Sequence, residues 1–318
     1  MAPVVPETQH RHSAAVGDLA AANCPVCDGP RHAPERGISG WRLVRCRDCG
    51  MVFVNPQPSE AALLAGYNGQ GELAYAVGGH LDKTAFYETW FTACDRRVWR
   101  TRLRKMARLC GGRGRLLEYG CGPALVGQVA LEEGWQVEAL DVGEWIRALQ
   151  SRRGFPLHVG TIRAQRWPDG RFDAIYAQDV FEHLRRPREE AVELARLLRP
   201  GGVLYVHVPN YAALTIRLGV SRFAYNEPPG HLNYFTPRTL GELLRRAGFG
   251  RIRLSSDHLE YQDFWRRDTF DYRGFEHRIA THGRGSPGRL WKAARALINL
   301  PLGAFRCGTY LWGYATRQ

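Results

Sequence analysis

The stretch Arg115-Leu116-Leu117-Glu118-Tyr119-Gly120-Cys121-Gly122-Pro123-Ala124, with Asp141 downstream, decides the fold of this chain. Leu116 and Leu117 read as the end of a short buried strand. Gly120 and Gly122 permit a tight turn whose backbone can approach a ligand closely. A helical pattern follows, with Leu125, Val129, Ala130 and Leu131 recurring along one side. Trp135 to Leu140 reads as a second strand, delivering Asp141 at its C-terminal end. Strand, glycine turn, helix, strand and acid make a nucleoside-binding βαβ unit, in which the acid accepts hydrogen bonds from ribose hydroxyls.

The loop chemistry narrows the nucleoside. A dinucleotide site calls for a third glycine and a helix N-terminus that holds a pyrophosphate. Here Pro123, Ala124, Leu125 and Val126 follow Gly122, so the third glycine is absent, and Glu118 stands two residues before Gly120. A negative charge there repels phosphate and suits an ammonium- or sulfonium-bearing ligand. The E-x-G-x-G form, with Asp141, resembles motif I of class I S-adenosylmethionine (SAM) methyltransferases. That resemblance implies SAM as cofactor, held by Glu118, Gly120, Gly122 and Asp141. Thr161, after the third strand, then lies beside the adenine, and Gln178 at the end of the fourth completes the cofactor set.

Downstream, strands and helices alternate. Glu144 to Arg152 and Arg188 to Leu198 read as helices; Pro156–Val159, Phe172–Ala177 and Val203–Val208 read as strands. Thr236 to Ala247 is a helix with Thr236 as N-cap and Pro237 at its first position. Phe249 to Leu254 and Thr309 to Thr316 supply the last strands. The pattern predicts an α/β fold, a Rossmann-like doubly wound seven-stranded sheet. The methyltransferase resemblance spans about residues 114–256, including the Phe172–His183 run and Leu198-Arg199-Pro200-Gly201-Gly202.

A small zinc-ribbon module precedes this sheet. Cys24, Cys27, Cys46 and Cys49 form C-x2-C-x18-C-x2-C, in which each C-x-x-C knuckle offers two thiolates to one ion. Four cysteine ligands leave no open position, so a structural Zn²⁺ is expected. Gly29 and Gly50 suit the knuckle turns, and Cys94, Cys110, Cys121 and Cys307 read as packing residues. The expected domains are a disordered leader over 1–22, the ribbon over 23–58 and a helical linker or lid over 59–112. The methyltransferase domain then occupies 113–318, with a lid insertion at 209–235 and a helical insertion at 257–305.

The linker holds a helix from Ser59 to Tyr67, a glycine-rich loop over 68–85 and a long helix from Phe86 to Cys110. The formal charge of +13 comes almost wholly from arginine, Lys83, Lys105 and Lys292 being the only lysines. The densest run, Arg96 to Arg108, alternates with Val98, Trp99, Leu103 and Met106 at helical spacing. It reads as a solvated helix face in preference to an RNA track. The sequence shows no secretory signal and no apolar run near the ~18 residues that span a bilayer, so a cytoplasmic protein is expected.

The ribbon start and Gly230-His231-Leu232-Asn233-Tyr234-Phe235 resemble a subgroup of small-molecule methyltransferases that includes sugar C-methyltransferases. In those enzymes a related segment carries the catalytic histidine; here Pro228-Pro229-Gly230 separates Tyr225-Asn226-Glu227 from His231. Methyl transfer to O–H or C–H needs a base, and histidine titrates near neutrality. His231 is the first candidate and His183 the second, each with a structural alternative: a lid contact for His231, a helix-capping or backbone bond for His183. Tyr225, Asn233 and Tyr234 are candidate substrate contacts, core packing being the alternative for Tyr234. The acceptor is then a small molecule, sugar- or lipid-linked in one version. The rival readings are a zinc-ribbon RNA methyltransferase and a non-catalytic SAM-fold binding subunit.

Overall fold

The computed structural model describes residues 19–38, 40–71, 73–74, 93–219, 228–257 and 304–318. The chain opens with β1 (Leu19–Ala20), β2 (His32–Pro34), β3 (Leu43–Cys46), β4 (Val52–Val54) and β5 (Gln57–Pro58). β1 pairs antiparallel with β5, so regular structure begins inside the span expected to be a disordered leader. The reason is a side-chain clamp: Ala22 N donates to Asn55 Oδ1 at 3.0 Å, and Asn55 Nδ2 donates to Ala22 O at 3.2 Å.

Of the linker, most of the glycine-rich loop over 68–85 and the first turns of the helix expected from Phe86 lie outside the described residues. Helix α1 (Glu60–Tyr67) starts at Ser59, whose side chain accepts from Ala62 N at 3.2 Å. Helix α2 (Ala93–Cys110) ends as Gly111 turns to φ +81° and Gly112 N bonds Ala107 O at 2.8 Å. Its buried stripe is Trp99, Leu103, Met106, Ala107 and Cys110, while Val98 faces solvent. Arg96 and Arg100 pair with Glu132, and Arg104 with Glu133. Part of the basic run is thus neutralised by acids of the neighbouring helix. Arg102 departs from the solvated face, its Nη1 donating to Tyr176 Oη (3.3 Å) and Gln178 Oε1 (3.2 Å) at the sheet.

The central unit runs β6 (Arg115–Tyr119), α3 (Leu125–Glu132), β7 (Gln136–Asp141), α4 (Gln150–Arg153), β8 (Leu157–Val159), β9 (Phe172–Gln178), α5 (Pro187–Leu197) and β10 (Leu198–Pro209). It closes with α6 (Leu214–Arg217), β11 (Asn233–Tyr234), α7 (Pro237–Arg246), β12 (Phe249–Asp257) and β13 (Tyr310–Arg317). Among the described residues the main sheet has seven strands in the order β12-β13-β10-β9-β6-β7-β8. β13 is antiparallel to both neighbours; the β10-β9-β6-β7-β8 ladders are parallel. The order reverses between β6 and β9, the switch point at which open α/β sheets bind ligands beyond their C-terminal strand ends.

Two local readings shift. The buried face of α3 is Val126, Gly127, Val129 and Ala130, while Leu131 is 44% exposed. Ala124, left-handed at φ 56°, is the N-cap that turns the chain into the helix. The helix expected from Glu144 begins as a 3-10 turn over Glu144–Leu149, with α-helix only over Gln150–Arg153. At α7 the Thr236 cap is realised, accepting from Thr239 N at 3.2 Å.

The ribbon shares a sheet with the catalytic domain. β11 pairs antiparallel with β4, Asn233 opposite Phe53 and Tyr234 opposite Val52, giving a four-stranded sheet β11-β4-β3-β2. Val54 N adds a bond to Leu232 O at 2.9 Å. Val26, Met51 and Phe53 lie in one apolar cluster with Leu117, Phe181, Phe235 and Leu240. On the other ribbon face Leu43, Val52 and Val54 pack with Leu63, Leu232 and Tyr234. The described end of the span read as lid, Leu232 to Phe235, thus packs with the ribbon residues. The expected helical insertion lies almost wholly outside the described residues.

Candidate active site

The cofactor half is built on the turn after β6. Gly120 (φ +66°) is obligatory for space as well as conformation, because a Cβ there would fall 2.4 Å from Val180 Cγ2. Gly122 N donates to Asp141 Oδ2 and Gly143 N to Asp141 Oδ1, both at 2.8 Å. Asp141 thus joins the loops beyond β6 and β7. Glu118, buried, accepts from Gly127 N at 2.7 Å. Gly127 has the function of the missing third glycine: a Cβ would lie 2.6 Å from Phe155 Cζ and 2.8 Å from Glu118 Oε2.

These bonds test which ligand fits. A helix N-terminus recognises phosphate through its N–H groups, but here the Gly127 N–H is satisfied by a protein carboxylate. The loop presents acids, suited to ribose hydroxyls and to a cationic amino-acid moiety. Burial pushes the Glu118 carboxyl up to about 8, against the pull of the Gly127 and Val126 N–H groups. Below that pH the ligand-free group is mostly protonated, and a ligand ammonium favours its ionised form. Binding should therefore release a proton, and SAM affinity should rise ~tenfold per pH unit from pH 6 towards 8, then level off. Calorimetry in buffers of different ionisation enthalpy reads this directly. A pH-independent affinity would remove Glu118 from contact with the ligand's charge.

A second cluster of titratable side chains lies beyond β9 and β10. Gln178 Oε1 accepts from Tyr176 Oη at 2.9 Å, and Asp179 (φ 55°) turns the chain into a 3-10 turn over Phe181–His183. His207, on β10, donates from Nδ1 to Asp179 Oδ1 at 2.7 Å. His183 Nδ1–H donates to Gly230 O at 2.6 Å, and its Nε2 stands 4.0 Å from Glu182 Oε1. The His231 ring stands edge-on to that of His183, centroids 4.6 Å apart. Burial, then the neighbouring His183, pushes His231 well below its ordinary range, so it is neutral at pH 7. Glu182 is 1% exposed; burial, then the Asp179 charge, pushes it well above the usual carboxyl range.

The segment that carries His231 is held from both sides. Leu232 N bonds Glu182 O at 2.8 Å, and Asn233 Nδ2 donates to Phe181 O (3.1 Å) and Leu184 O (2.6 Å). Buried Asn233 thus clamps backbone through its Nδ2, while its Oδ1 has no hydrogen-bond partner among the described residues. Tyr234 is also buried and packs against Tyr211, ring centroids 5.6 Å apart. Thr161 sits in the loop after β8, its Oγ1 accepting from Ala164 N at 3.4 Å. Tyr225 lies outside the described residues. Glu182 and Gly127 were missed as site residues; the Glu-His pair was visible in sequence, but its burial was not.

At the ribbon, one sulfur from each of Cys24, Cys27, Cys46 and Cys49 lies within 4.8 Å of the others. The Cys24–Cys49 and Cys27–Cys46 pairs stand at 3.4 and 3.5 Å. That exceeds the ~2.05 Å of a disulfide and approaches the ~3.8 Å sulfur–sulfur edge of a tetrahedral zinc–thiolate site with ~2.3 Å bonds. The Cys24–Cys49 contact lowers the Cys49 thiol and raises that of Cys24, so the two sulfurs share one proton between them. Gly50 (φ +81°) turns the second knuckle. In the first, Asp28 (φ 63°) takes the left-handed position, and Gly29 supplies room: a Cβ would fall 2.3 Å from Asp48 Oδ2. Cys110 and Cys121 are buried and Cys307 is half-buried; the Cys94 side chain lies outside the described residues.

The family described as a methyltransferase domain matches residues 91–253, just over half of the chain. This chain belongs to the methyltransferase domain family. A Mycolicibacterium smegmatis protein named "Probable S-adenosylmethionine-dependent methyltransferase" is 31% identical over 150 residues, 46% of this chain and 55% of the relative. The ubiquinone biosynthesis O-methyltransferase of Xanthomonas oryzae pv. oryzae is 29% identical over 154 residues, covering 44% of this chain and 64% of the relative. This methyltransferase-family chain therefore spans between 55% and 64% of those curated relatives. Among solved structures, 1,6-didemethyltoxoflavin-N1-methyltransferase of Burkholderia thailandensis is 16% identical, with TM-score 0.49 over 90% of this chain and 99% of that one.

Proposed function

We propose that the protein transfers a methyl group from SAM to an oxygen or carbon atom of a small-molecule acceptor, with His231 as general base and a structural Zn²⁺ on the four cysteines. The acceptor class favoured is a sugar, glycan or secondary-metabolite intermediate. The observation that carries the reading is a half-buried His231 set edge-on to His183 at the sheet's C-terminal rim. The Glu118–Asp141 loop occupies the same rim. Bound SAM supplies an electrophilic methyl. His231 takes the acceptor's O–H or C–H proton as the new bond forms, and Asp141 holds the ribose. The O-methyltransferase name of one relative supports oxygen as the acceptor atom. Among the described residues no helix is long and apolar enough to cross a membrane.

Asp141→Ala removes both bonds that join the β6 and β7 loops and the proposed ribose partner together. SAM binding should be lost in calorimetry while the fold persists by circular dichroism; unchanged affinity would overturn the ribose assignment. Acceptor class is read by incubating the protein with methyl-labelled SAM and a cell extract. Label in a sugar or metabolite fraction supports the reading, whereas label that vanishes with RNase treatment replaces it with an RNA methyltransferase.

A further inference from the structure

Beyond the four cysteines, the described residues contain one other cluster of metal-ligating side chains. One donor atom each from Glu182, His183 and His231 lies within 4.8 Å of the others. We propose that these three side chains form a second divalent-cation site, for a borderline transition ion of the Zn²⁺ or Co²⁺ class.

The donor set is two imidazoles and one carboxylate, which such ions favour. Glu182 carries the independent observation. It is 1% exposed, and among the described residues neither of its oxygens has a hydrogen-bond partner. A buried carboxyl is ordinarily satisfied, and one left bare beside two imidazoles asks for a proton or a cation. His183 is oriented as a ligand: its Nδ1–H bonds Gly230 O, the outer bond that ligating histidines commonly make, and this turns Nε2 towards Glu182. An ion with ~2.1 Å bonds holds tetrahedral donors ~3.4 Å apart. The 4.0 Å Glu182–His183 pair closes on it with a shift of about half an ångström. Both imidazoles are half-buried, which leaves an open side for a further ligand.

The functional consequence rests on the reading of His231 as base. One lone pair cannot hold a cation and accept a proton together, so occupancy should inhibit methyl transfer.

The test is a Co²⁺ titration of the full chain with its ribbon already loaded with zinc. One further Co²⁺ per chain is expected, with ligand-field bands and without the thiolate-to-cobalt charge-transfer band that marks cysteine ligation. Glu182→Gln and His183→Gln should each weaken it at least ~tenfold, while His158→Gln, at a distant Glu138 pair, should leave it intact. Retained SAM binding and ribbon zinc verify the fold of the variants. No further Co²⁺, a charge-transfer band, or undiminished binding in both variants would overturn the site. A second ion that binds without slowing methyl transfer keeps the site and sinks His231 as base. Absence of the ion together with an inactive His231→Ala keeps the base and sinks the site.

Discussion

Replacing His231 by alanine is expected to lower the methyl-transfer rate by ~10²–10⁴-fold, the usual worth of a general base, with SAM affinity unchanged. The separation follows from position. Asp141 and Glu118 make their bonds around the β6 and β7 loops, whereas His231 stands against His183 beyond β9. The pH profile gives a second handle. Burial holds His231 well below its ordinary range, so the base remains unprotonated as pH falls through neutrality, and the acid limb should lie below that of an ordinary histidine. Single-turnover rates in the variant, with SAM affinity measured alongside, decide the matter. Wild-type turnover would remove His231 from the chemistry.

Stripping the ribbon of zinc is expected to abolish turnover and lower the melting temperature, both restored by one equivalent of Zn²⁺ per chain. Structural zinc contributes ~10–16 kcal/mol of apparent binding energy in small ribbons and fingers, comparable with the ~5–15 kcal/mol net stability of a whole domain. The effect reaches the proposed base because β4 pairs with β11, immediately after His231, and Arg185 Nη1 donates to Pro58 O at 2.7 Å across the same junction. Met51 and Phe53 also share their apolar cluster with Phe181 and Phe235. SAM affinity, read by calorimetry on the same stripped sample, should fall less than turnover. Unchanged turnover after complete metal removal would show that the ribbon does not position His231.

Features encoded in single windows of sequence were legible. The Ser59 and Thr236 caps, the Gly111-Gly112 stop, the glycine turn and the strands around it depend on neighbours a few residues away, and each is found where its signal lies. The C-x-x-C spacing likewise brings its sulfurs together. The phase of α3 was less legible: Val126, Gly127, Val129 and Ala130 form its buried face and Leu131 lies in solvent.

What tertiary structure alone decided is the company each residue keeps. Asn233 Nδ2 bonds two carbonyls of a turn distant in sequence, Phe181 O and Leu184 O. Glu182 gave no sign that it would be buried bare beside two histidines, since desolvation depends on segments that pack from β10, β11 and the ribbon together. Sequence by itself determined the α/β unit, its nucleoside-type loop and the four-thiolate knuckles, because periodicity, capping and short ligand spacings are local physics. Strand addition between β4 and β11, and the meeting of Glu182, His183 and His231, required the folded chain: backbone pairing and burial couple residues that no sequence window contains.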